Sequence, residues 1–584
     1  MNQSNRIFCN NKLLERTMRK PRTSLDHEWK LISYFEDLSN ELFYEIFDYL
    51  DGLDLFEAFL NLNVRFQCLL SSILIRLNPS FSSCMQSNYE SRLINVVSST
   101  RQRILAIFSY EKWMTNSFYA LLTIDSSFHR LESLFLVGLN SYRLISLLTS
   151  LTTLYNLSSL TIVIDEDILD LTETYRMLCG LPTLKYFKLS FESEETYSSL
   201  AIVTNDHFSN LKYLIMNHSC TFIGLTSILS CTPQLCYLNC MMLNEPSDSI
   251  KECVKIALSN LTSIKIGKCY LSFDKFEIFI QNVCAELKVL HINTYSDTAY
   301  LNGSRWEQSI QQNMPHLCKF EFQYHEIVED TFEFTPHHAL MDQFVSSFWI
   351  KKQWTIEILI DILDWSGIEI IYSVHPYAKR WHELNELNGN HHFYYIEQQQ
   401  QSVIVTISEH FHIDSEDFFF SNFHPVLTTF QVSHLVIESK TISIRTLIEF
   451  LHLLPNLDSL KLCSLSLLDL TNFSRTENET LHSISKNSKI TKVNLEQTTQ
   501  LADVELLIDL CPQLQYFEMK DFTAMDFKLF IQFVTMKIFK SIHHSCVLCF
   551  CMTEANDKAF ELLQDIIPIE TMACVYNKIY IKLK

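Results

Sequence analysis

The sequence predicts an α/β protein built from a small N-terminal helical module and a long strand–helix repeat. Two features support this prediction. Three short apolar stretches with helix-boundary residues between them lie within residues 35–70, and a pattern of three apolar residues recurs through most of the chain after residue 130. The chain of 584 residues also has only 8 Gly and 12 Pro, which argues against a turn-dense all-β fold.

The composition of the chain indicates which classes of partner it can bind and in which cellular compartment it is expected. The chain has 67 acidic and 46 basic residues, a net charge of −21, so nucleic acid and anionic membranes are poor partners. The 18 Cys are scattered through apolar stretches, as at Cys68, Cys179 and Cys231, which indicates reduced, buried thiols in an intracellular protein. Residues 1–32 contain no apolar signal-peptide run and are expected to be a flexible segment. We therefore expect a cytoplasmic and/or nuclear protein.

Residues 33–80 carry the boundary signals of three helices. Ser39 or Asn40 is a candidate cap for the first helix, and Asp51-Gly52 is expected to end it, with Gly52 in a left-handed conformation. Asp54–Glu57 has the spacing of a capping box for the second helix. The third helix is predicted at Val64–Leu77.

The first of these helices carries more apolar surface than the module can bury. The stretch Leu42–Leu50 reads LFYEIFDYL, in which only Glu45 and Asp48 are charged. A helix that is apolar nearly all round must be covered on both faces, and three short helices form too small a core for that. We therefore expect an exposed apolar patch, which is typical of a protein–protein interface.

The same module follows a longer residue pattern. Its members are Leu38, Glu41, Leu42, Ile46, Phe47, Leu50, Asp54, Leu55, Ala58, Leu62, Arg65, Phe66 and Leu69. This pattern resembles the F-box, the three-helix module that docks a substrate receptor onto the small Skp-type adaptor of a cullin-based ubiquitin ligase. Ser39 stands where the family usually has Pro, and Phe66 where it usually has Trp. The adaptor-binding residues that the resemblance implies are Leu38, Ser39, Leu42, Ile46, Phe47, Leu50 and Leu55. The alternative is an ordinary helical cap on a larger domain.

A second pattern, apolar-x-x-apolar-x-apolar, recurs in twelve copies. The first eight copies begin 24 to 30 residues apart, and the last four begin 24 to 33 residues apart. Apolar residues two apart lie on one face of a strand, so each copy predicts a short strand. The copies begin at Leu131, Leu157, Leu184, Leu211, Leu235, Leu261, Leu287, Leu317, Val432, Leu457, Ile490 and Leu514.

The segments between copies predict helices. Ser141–Thr153 and Thr221–Cys231 have helical apolar spacing, and a proline such as Pro182 often precedes the strand, where it would stop the helix. One unit cannot bury its own apolar face, so the units must stack. The pattern resembles the leucine-rich repeat, which implies a horseshoe-shaped α/β solenoid. We assign repeats to residues 129–323 and 431–584, the latter including a C-terminal cap.

Two segments lie outside the regular repeat. Residues 81–128 are helical in character and are expected to link the module to the first repeat and to cap its apolar end. Residues 324–430 are interpreted either as irregular repeats or as an inserted strand-rich element, whose aromatic residues favour a strand core over a ligand surface. The strands predicted there lie in Trp349–Ile360, Ile368–Val374, Phe393–Ile396 and Val403–Ile407.

Signatures of catalysis and metal binding are largely missing. The sequence contains no Gly-rich phosphate loop and no nucleophile elbow. Cys546 and Cys549 have the spacing of a zinc knuckle, but no second ligand pair follows at a matched spacing. We expect no catalytic residue, no metal and no cofactor. The remaining candidates are histidine pairs in polar loops, His337-His338 and His391-His392, and acidic pairs of a solvated rim, Glu166-Asp167 and Glu194-Glu195.

The order of the parts resembles F-box proteins with leucine-rich repeats, which are substrate receptors of SCF-type ubiquitin ligases. The resemblance implies that the helical module binds the adaptor, and through it the cullin scaffold, while the repeats bind a protein substrate. Such a receptor is not an enzyme and acts by proximity. Two alternatives stay open: a repeat scaffold that binds a protein partner without a ubiquitin role, and an enzyme housed in residues 324–430.

Overall fold

The computed structural model describes most of the repeat region and nearly all of the helical module. The described residues form two compact units that divide between Leu74 and Ile75. The α/β fold class predicted from the sequence is confirmed, and none of the helices described is long and apolar enough to cross a membrane. The described residues are 35–78, 86–166, 168, 170–191, 208–245, 256, 258–295, 297–328, 342–363, 367–376, 403–410, 427, 431–440, 442–466, 475–497, 500–521, 527–551, 572–575 and 578–583.

The first unit contains the three predicted helices, with two boundaries moved. Helix α1 is Asn40–Asp48, α2 is Gly52–Phe59 and α3 is Val64–Ser72. The carboxylate of Asp51 accepts a hydrogen bond of 2.9 Å from the backbone N–H of Leu53. Asp51 therefore caps α2, and the capping box predicted at Asp54 was wrong. Because Gly52 is the first residue of α2 and has no positive φ, its predicted left-handed conformation was also wrong.

The third helix ends earlier than predicted. Helix α3 ends at Ser72, and Ile75–Leu77 forms a strand of the second unit. The side chains of this strand are buried, exposed and buried in turn, a period of two that excludes helix. The helical module therefore ends at Leu74 and not at residue 80.

The second unit alternates strands and helices. Its helices are α4 (Gln86–Thr100), α5 (Lys112–Leu121), α6 (Ser141–Leu151), α7 (Thr172–Cys179), α8 (Phe222–Cys231), α9 (Phe273–Val283), α10 (Gly303–Asn313), α11 (Ser347–Lys352), α12 (Ile444–Leu453), α13 (Arg475–Asn487), α14 (Leu501–Leu510) and α15 (Phe527–Ser541). Its strands up to residue 328 are β1 (Ile75–Leu77), β2 (Ile104–Ser109), β3 (Ser133–Leu139), β4 (Ser159–Ile164), β5 (Tyr186–Phe191), β6 (Tyr213–Thr221), β7 (Tyr237–Asn244), β8 (Ser263–Cys269), β9 (Val289–Tyr295) and β10 (Lys319–Val328).

The strands after residue 350 continue the same numbering. They are β11 (Trp354–Leu363), β12 (Gly367–Pro376), β13 (Val403–Ile407), β14 (Val432–Ile437), β15 (Ile442–Ser443), β16 (Ser459–Leu462), β17 (Leu465–Ser466), β18 (Lys492–Gln497), β19 (Tyr516–Asp521), β20 (Cys546–Cys551), β21 (Met572–Val575) and β22 (Lys578–Leu583). Of the strands described, only β15 and β17 pair outside the main sheet.

The main sheet follows chain order almost throughout. From β1 to β10 each strand pairs in parallel with the next, as does each strand from β13 to β20 apart from β15 and β17. Strand β12 lies antiparallel between β10 and β11, and β11 pairs in parallel with β13. The two repeat arrays predicted from the sequence are therefore joined into one sheet.

The twelve predicted motifs form the core of this sheet. Every residue that defines a motif is buried. Their second and third positions pair in rows from strand to strand, as Leu134 pairs with Leu160 and Leu160 with Phe187. The helices predicted in Ser141–Thr153 and Thr221–Cys231 are present as α6 and α8.

Residues 81–128 are not wholly helical, which corrects the prediction of a helical linker. They contain strand β2, which pairs in parallel with β1 and β3. Ile104, Ile107 and Ser109 occupy the three motif positions, and polar Ser109 hid this copy from the pattern. The buried Ser109 hydroxyl lies 2.8 Å from Oγ1 of Thr115, which donates to the carbonyl of Val137 at 2.6 Å. This hydrogen-bond chain makes a polar residue tolerable at a core position.

Residues 324–430 supply strands to the same sheet. Strands β12 and β13 lie where two of the predicted strands were placed. The strand predicted at Trp349–Ile360 is confirmed only from Trp354 onward, because Ser347–Lys352 forms helix α11. The predicted strand Phe393–Ile396 lies outside the described residues. The rings of Phe344, Trp349 and Trp354 are buried, with centroids 4.7 Å apart for the first pair and 5.6 Å for the second. These aromatic residues form core, as the sequence favoured.

The cysteines agree only in part with the expectation of buried thiols. No disulfide joins cysteines of the described ranges, and Cys179 and Cys231 are buried. Cys68, which was expected to be buried, is exposed on α3. Its neighbours Phe66 and Leu69 take the buried face of that helix instead.

Candidate functional site

Phenylalanine rings form the core of the three-helix unit. Phe43 and Phe66 have ring centroids 4.9 Å apart, and Phe47 and Phe59 have centroids 5.1 Å apart. A further contact of 5.2 Å joins Phe59 to Phe66, so the rings link all three helices. Phe66, at the position of the family's Trp, is therefore a core residue.

Arg65 holds the start of α1 against α3. Its guanidinium donates hydrogen bonds of 2.6 Å to the carbonyls of Glu36 and Leu38, and one of 2.9 Å to the side chain of Asn40. The same group lies 5.1 Å from the ring centroid of Phe43. This network fixes the segment that carries Leu38 and Ser39.

Ser39 begins α1 with an extended backbone. Its side chain hydrogen-bonds the carboxylate of Glu41, and this bond, followed by the backbone N–H of Glu41, holds the pKa of that carboxyl below its ordinary value. Ser39 occupies the N-cap position of α1, but its side chain makes no capping hydrogen bond to the helix backbone, so the predicted cap is confirmed in position only. The side chain of Ser39 is exposed.

The structure separates the seven predicted adaptor-binding residues into two groups. Phe47 and Leu55 are 5% and 2% exposed, so they belong to the core and their assignment to the surface is corrected. For Phe47 the sequence could not make this distinction, because α1 is apolar nearly all round. The remaining five are exposed or half-buried: Leu38, Ser39, Leu42, Ile46 and Leu50.

The surplus apolar side chains lie exposed, as the sequence predicted. Leu42 and Ile46 lie on α1, and Tyr49 follows the helix directly with a helical backbone. Their spacings of four and three residues place them on one face, and we call these three residues the α1 stripe. Leu42 is 44% exposed and Tyr49 is 90% exposed. Around the start of α3, Leu62 and Val64 are 52% and 74% exposed. Sequence reasoning omitted Tyr49, although its position seven residues after Leu42 was a usable signal.

The repeat unit carries a second candidate surface on the strand face opposite the motif residues. Tyr186, Tyr213 and Tyr237 are paired in register on β5, β6 and β7. Their ring centroids are 6.4 and 6.3 Å apart, and Tyr213 is exposed. We call these residues the tyrosine ladder. Rings in register on exposed strands are an amphipathic surface of the kind that binds proteins.

Further along this face, polar groups pair across strands β11, β12 and β13. Glu357 lies 3.0 Å from Nε2 of His375 and accepts a hydrogen bond of 2.9 Å from Thr406. Asp361 accepts from Ser408 and lies 3.1 Å from Nδ1 of His410. No Ser or Cys nucleophile is paired with a histidine in these contacts.

The zinc knuckle suggested by Cys546 and Cys549 does not form. Residues three apart on a strand point to opposite faces, and Cys546 lies on the motif face of β20 with Leu548 and Phe550. Cys549 instead shares a face with Cys551 and lies beside Glu518. Sequence reasoning missed this group because Glu518 comes from the preceding strand, although the Cys-x-Cys spacing within a strand was visible.

Of the other sequence candidates, Glu166 lies within the described residues. Glu166 is exposed and accepts a hydrogen bond of 2.8 Å from Ser141, in keeping with a solvated rim. The remaining candidates lie outside the described residues: Asp167, Glu194, Glu195, His337, His338, His391 and His392. No protein-family model matches this chain, and no curated protein matches it.

Proposed function

We propose that the protein is the substrate-recognition subunit of an SCF-type cullin ubiquitin ligase. In this proposal the three-helix unit is an F-box that docks on a Skp-type adaptor. The second unit is a leucine-rich-repeat solenoid that binds a protein substrate. The receptor does no chemistry itself and raises the effective concentration of substrate lysines near the ubiquitin thioester.

The observation that carries the proposal is the α1 stripe. A small helical bundle that stands alone gains nothing by exposing Leu42 and Tyr49 beside an already filled phenylalanine core. An exposed apolar stripe on a helix is suited to a groove or helical face of a partner. The F-box pattern of the sequence names a Skp-type adaptor as that partner.

The tyrosine ladder supports the second half of the proposal. Tyrosine is enriched in protein interfaces because it buries a large area at low cost in side-chain entropy. The three rings lie on neighbouring parallel strands and are held in register by the sheet. They offer a rigid surface for a protein substrate.

Adaptor binding by the purified full-length chain tests the proposal. The wild type should bind a recombinant Skp-type adaptor, and the double variant Leu42→Ala/Tyr49→Ala should bind roughly thirtyfold more weakly, since a buried anchor contributes ~2 kcal/mol or more. The matched control is Tyr142→Ala/Tyr155→Ala, which removes two exposed rings from the repeat unit and should leave adaptor affinity unchanged.

Two results would contradict the proposal in different ways. Equal adaptor affinity of the wild type and the α1 double variant would show that the α1 stripe is not the docking surface. If the wild type shows native circular dichroism and still does not bind the adaptor, the ligase role is wrong. The protein would then be interpreted as a repeat scaffold.

A further inference from the structure

Two thiols and a carboxylate meet on the strand face at the C-terminal end of the sheet. Cys549 and Cys551 are two apart on β20 and therefore point to the same face. Glu518 on β19 pairs in register with Cys549. One ligand atom from each of the three residues lies within 4.8 Å of the other two. The cluster is fixed by backbone pairing and not by a loop.

These separations are close to those of a metal site. Zn–S bonds of about 2.3 Å and Zn–O bonds of about 2.0–2.2 Å place tetrahedral ligand atoms roughly 3.5–3.8 Å apart. The Sγ of Cys551 already lies 3.2 Å from Oε1 of Glu518. Rotamer adjustments of roughly 1 Å would bring all three atoms onto one ion.

Burial at the cluster is graded. Cys549 and Glu518 are 0% and 5% exposed, whereas Cys551 is only half-buried. An ion can therefore approach past Cys551 and reach two ligands that are shielded from water.

Charge at the cluster also fits a divalent cation. Nζ of Lys578 on β22 lies 2.6 Å from Oε1 of Glu518, and the hydroxyl of Tyr516 donates to Oε2 at 3.2 Å. Two thiolates and one carboxylate around a divalent ion carry a net charge of −1. The ammonium of Lys578 would bring the site to neutrality. Tyr516 would hold the carboxylate in place, as outer hydrogen bonds do in metal sites.

We propose that Glu518, Cys549 and Cys551 bind a thiophilic divalent cation of the zinc class. Thiolate ligands select such ions over Mg²⁺ and Ca²⁺, which prefer oxygen. Each thiol releases its proton to solvent as it coordinates. Three protein ligands leave a fourth position for water or for a side chain of a bound protein. This site does not depend on the proposed ligase role.

Cobalt(II) is the probe, because a cobalt–thiolate bond gives a charge-transfer absorption that other ligands do not. The reduced full-length wild type is titrated with Co²⁺ and then with Zn²⁺. Since the chain has 18 Cys, the informative quantity is the difference between variants. The wild type should bind one more Co²⁺ per chain than Cys549→Ser or Cys551→Ser, and Zn²⁺ should displace it. Glu518→Gln should keep the absorption and weaken binding by roughly tenfold or more.

The controls use cysteines outside the cluster. Cys546→Ser removes a thiol from the opposite face of β20, and Cys318→Ser removes an exposed thiol from the residue that precedes β10. Both should keep the wild-type cobalt stoichiometry. Native circular dichroism of the half-buried variant Cys551→Ser excludes misfolding as the cause of lost binding. Equal cobalt stoichiometry and absorption in the wild type and Cys551→Ser would overturn the proposal.

Discussion

The hydroxyl of Tyr175 on α7 donates a hydrogen bond of 2.6 Å to Nε2 of His218 on β6. Nδ1 of His218 lies 2.9 Å from the carbonyl oxygen of Ser219, so Nδ1–H is the donor and Nε2 the acceptor. Both side chains are buried, at 0% and 1% exposure. His218 follows the motif residues Leu214 and Met216 at the two-residue spacing of a strand, so its side chain lies on the buried face of β6. The repeat core thus holds a neutral histidine.

This histidine should make stability depend on pH. Burial lowers the pKa of His218 from 6.5 to about 4, against a smaller opposing effect of the bond to Ser219. Between these two values the unfolded chain binds the proton and the folded chain does not, so stability is full above pH 6.5 and falls as the pH drops toward about 4. The loss should be about 3 kcal/mol, since one pKa unit is about 1.4 kcal/mol.

The measurement is the urea midpoint of unfolding of the wild type and His218→Gln between pH 7 and pH 4. The wild type should lose stability more steeply over this range because the variant cannot titrate at this position. Parallel pH profiles of the two proteins would contradict the buried neutral histidine.

Removing the hydroxyl of Tyr175 should destabilise the repeat unit. Tyr175→Phe leaves Nε2 of His218 buried without its donor, which costs about 1–3 kcal/mol. Unfolding by urea at pH 7 measures this loss. Tyr155→Phe is the matched control, because Tyr155 is 73% exposed and its hydroxyl can bond to water. Equal stability of the two variants would count against the Tyr175–His218 bond.

Much of the repeat fold could be predicted because its information is local. Three apolar residues at fixed spacing, as at Leu157, Leu160 and Ile162, mark both the strand and its buried face. The copy at Ile104 escaped because Ser109 fills its third position and is satisfied by Thr115, a partner that sequence alone does not identify. A polar residue hides a motif wherever tertiary hydrogen bonding compensates for it.

The candidate sites depend on information that is not local. On α1 both faces are apolar, so the sequence could not decide that Phe47 is core while Leu42 is surface. The cluster of Glu518, Cys549 and Cys551 exists only through the register of two strands about thirty residues apart in sequence. Neither the choice of helix face nor the strand register follows from residue spacing.

The two faces of α1 should respond differently to truncation. Phe47→Ala removes a buried ring that contacts Phe59 at 5.1 Å and should cost about 3–5 kcal/mol. Leu42→Ala/Tyr49→Ala removes exposed groups and should change stability by about 0.5 kcal/mol or less. Hydrogen exchange of peptides from residues 40–72, measured by mass spectrometry, reports the stability of this unit. Similar loss of protection in both variants would contradict the assignment of faces.

We predict that replacing Gly138 by any other residue destabilises the protein. Gly138 lies in β3, where the register against β4 shifts between Val137 and Leu139, and it has φ of 70°. A left-handed conformation costs about 1–3 kcal/mol for a non-glycine residue. A Cβ at this position would also lie 2.5 Å from Cβ of Lys112 on α5, so the start of that helix would have to move.

Gly138→Ala should therefore lose well over 1 kcal/mol of stability, as measured by urea unfolding, and should lose exchange protection in peptides that cover β3 and α5. Gly180→Ala is the control, since Gly180 has φ of −79° at the end of α7 and its added Cβ would lie 3.2 Å from the carbonyl oxygen of Met177. Its smaller effect should stay local to α7, because only a slight adjustment of one carbonyl is needed. If Gly138→Ala and Gly180→Ala destabilise the protein equally, the prediction is wrong. Neither the left-handed backbone nor the approach of Lys112 would then explain the glycine at position 138.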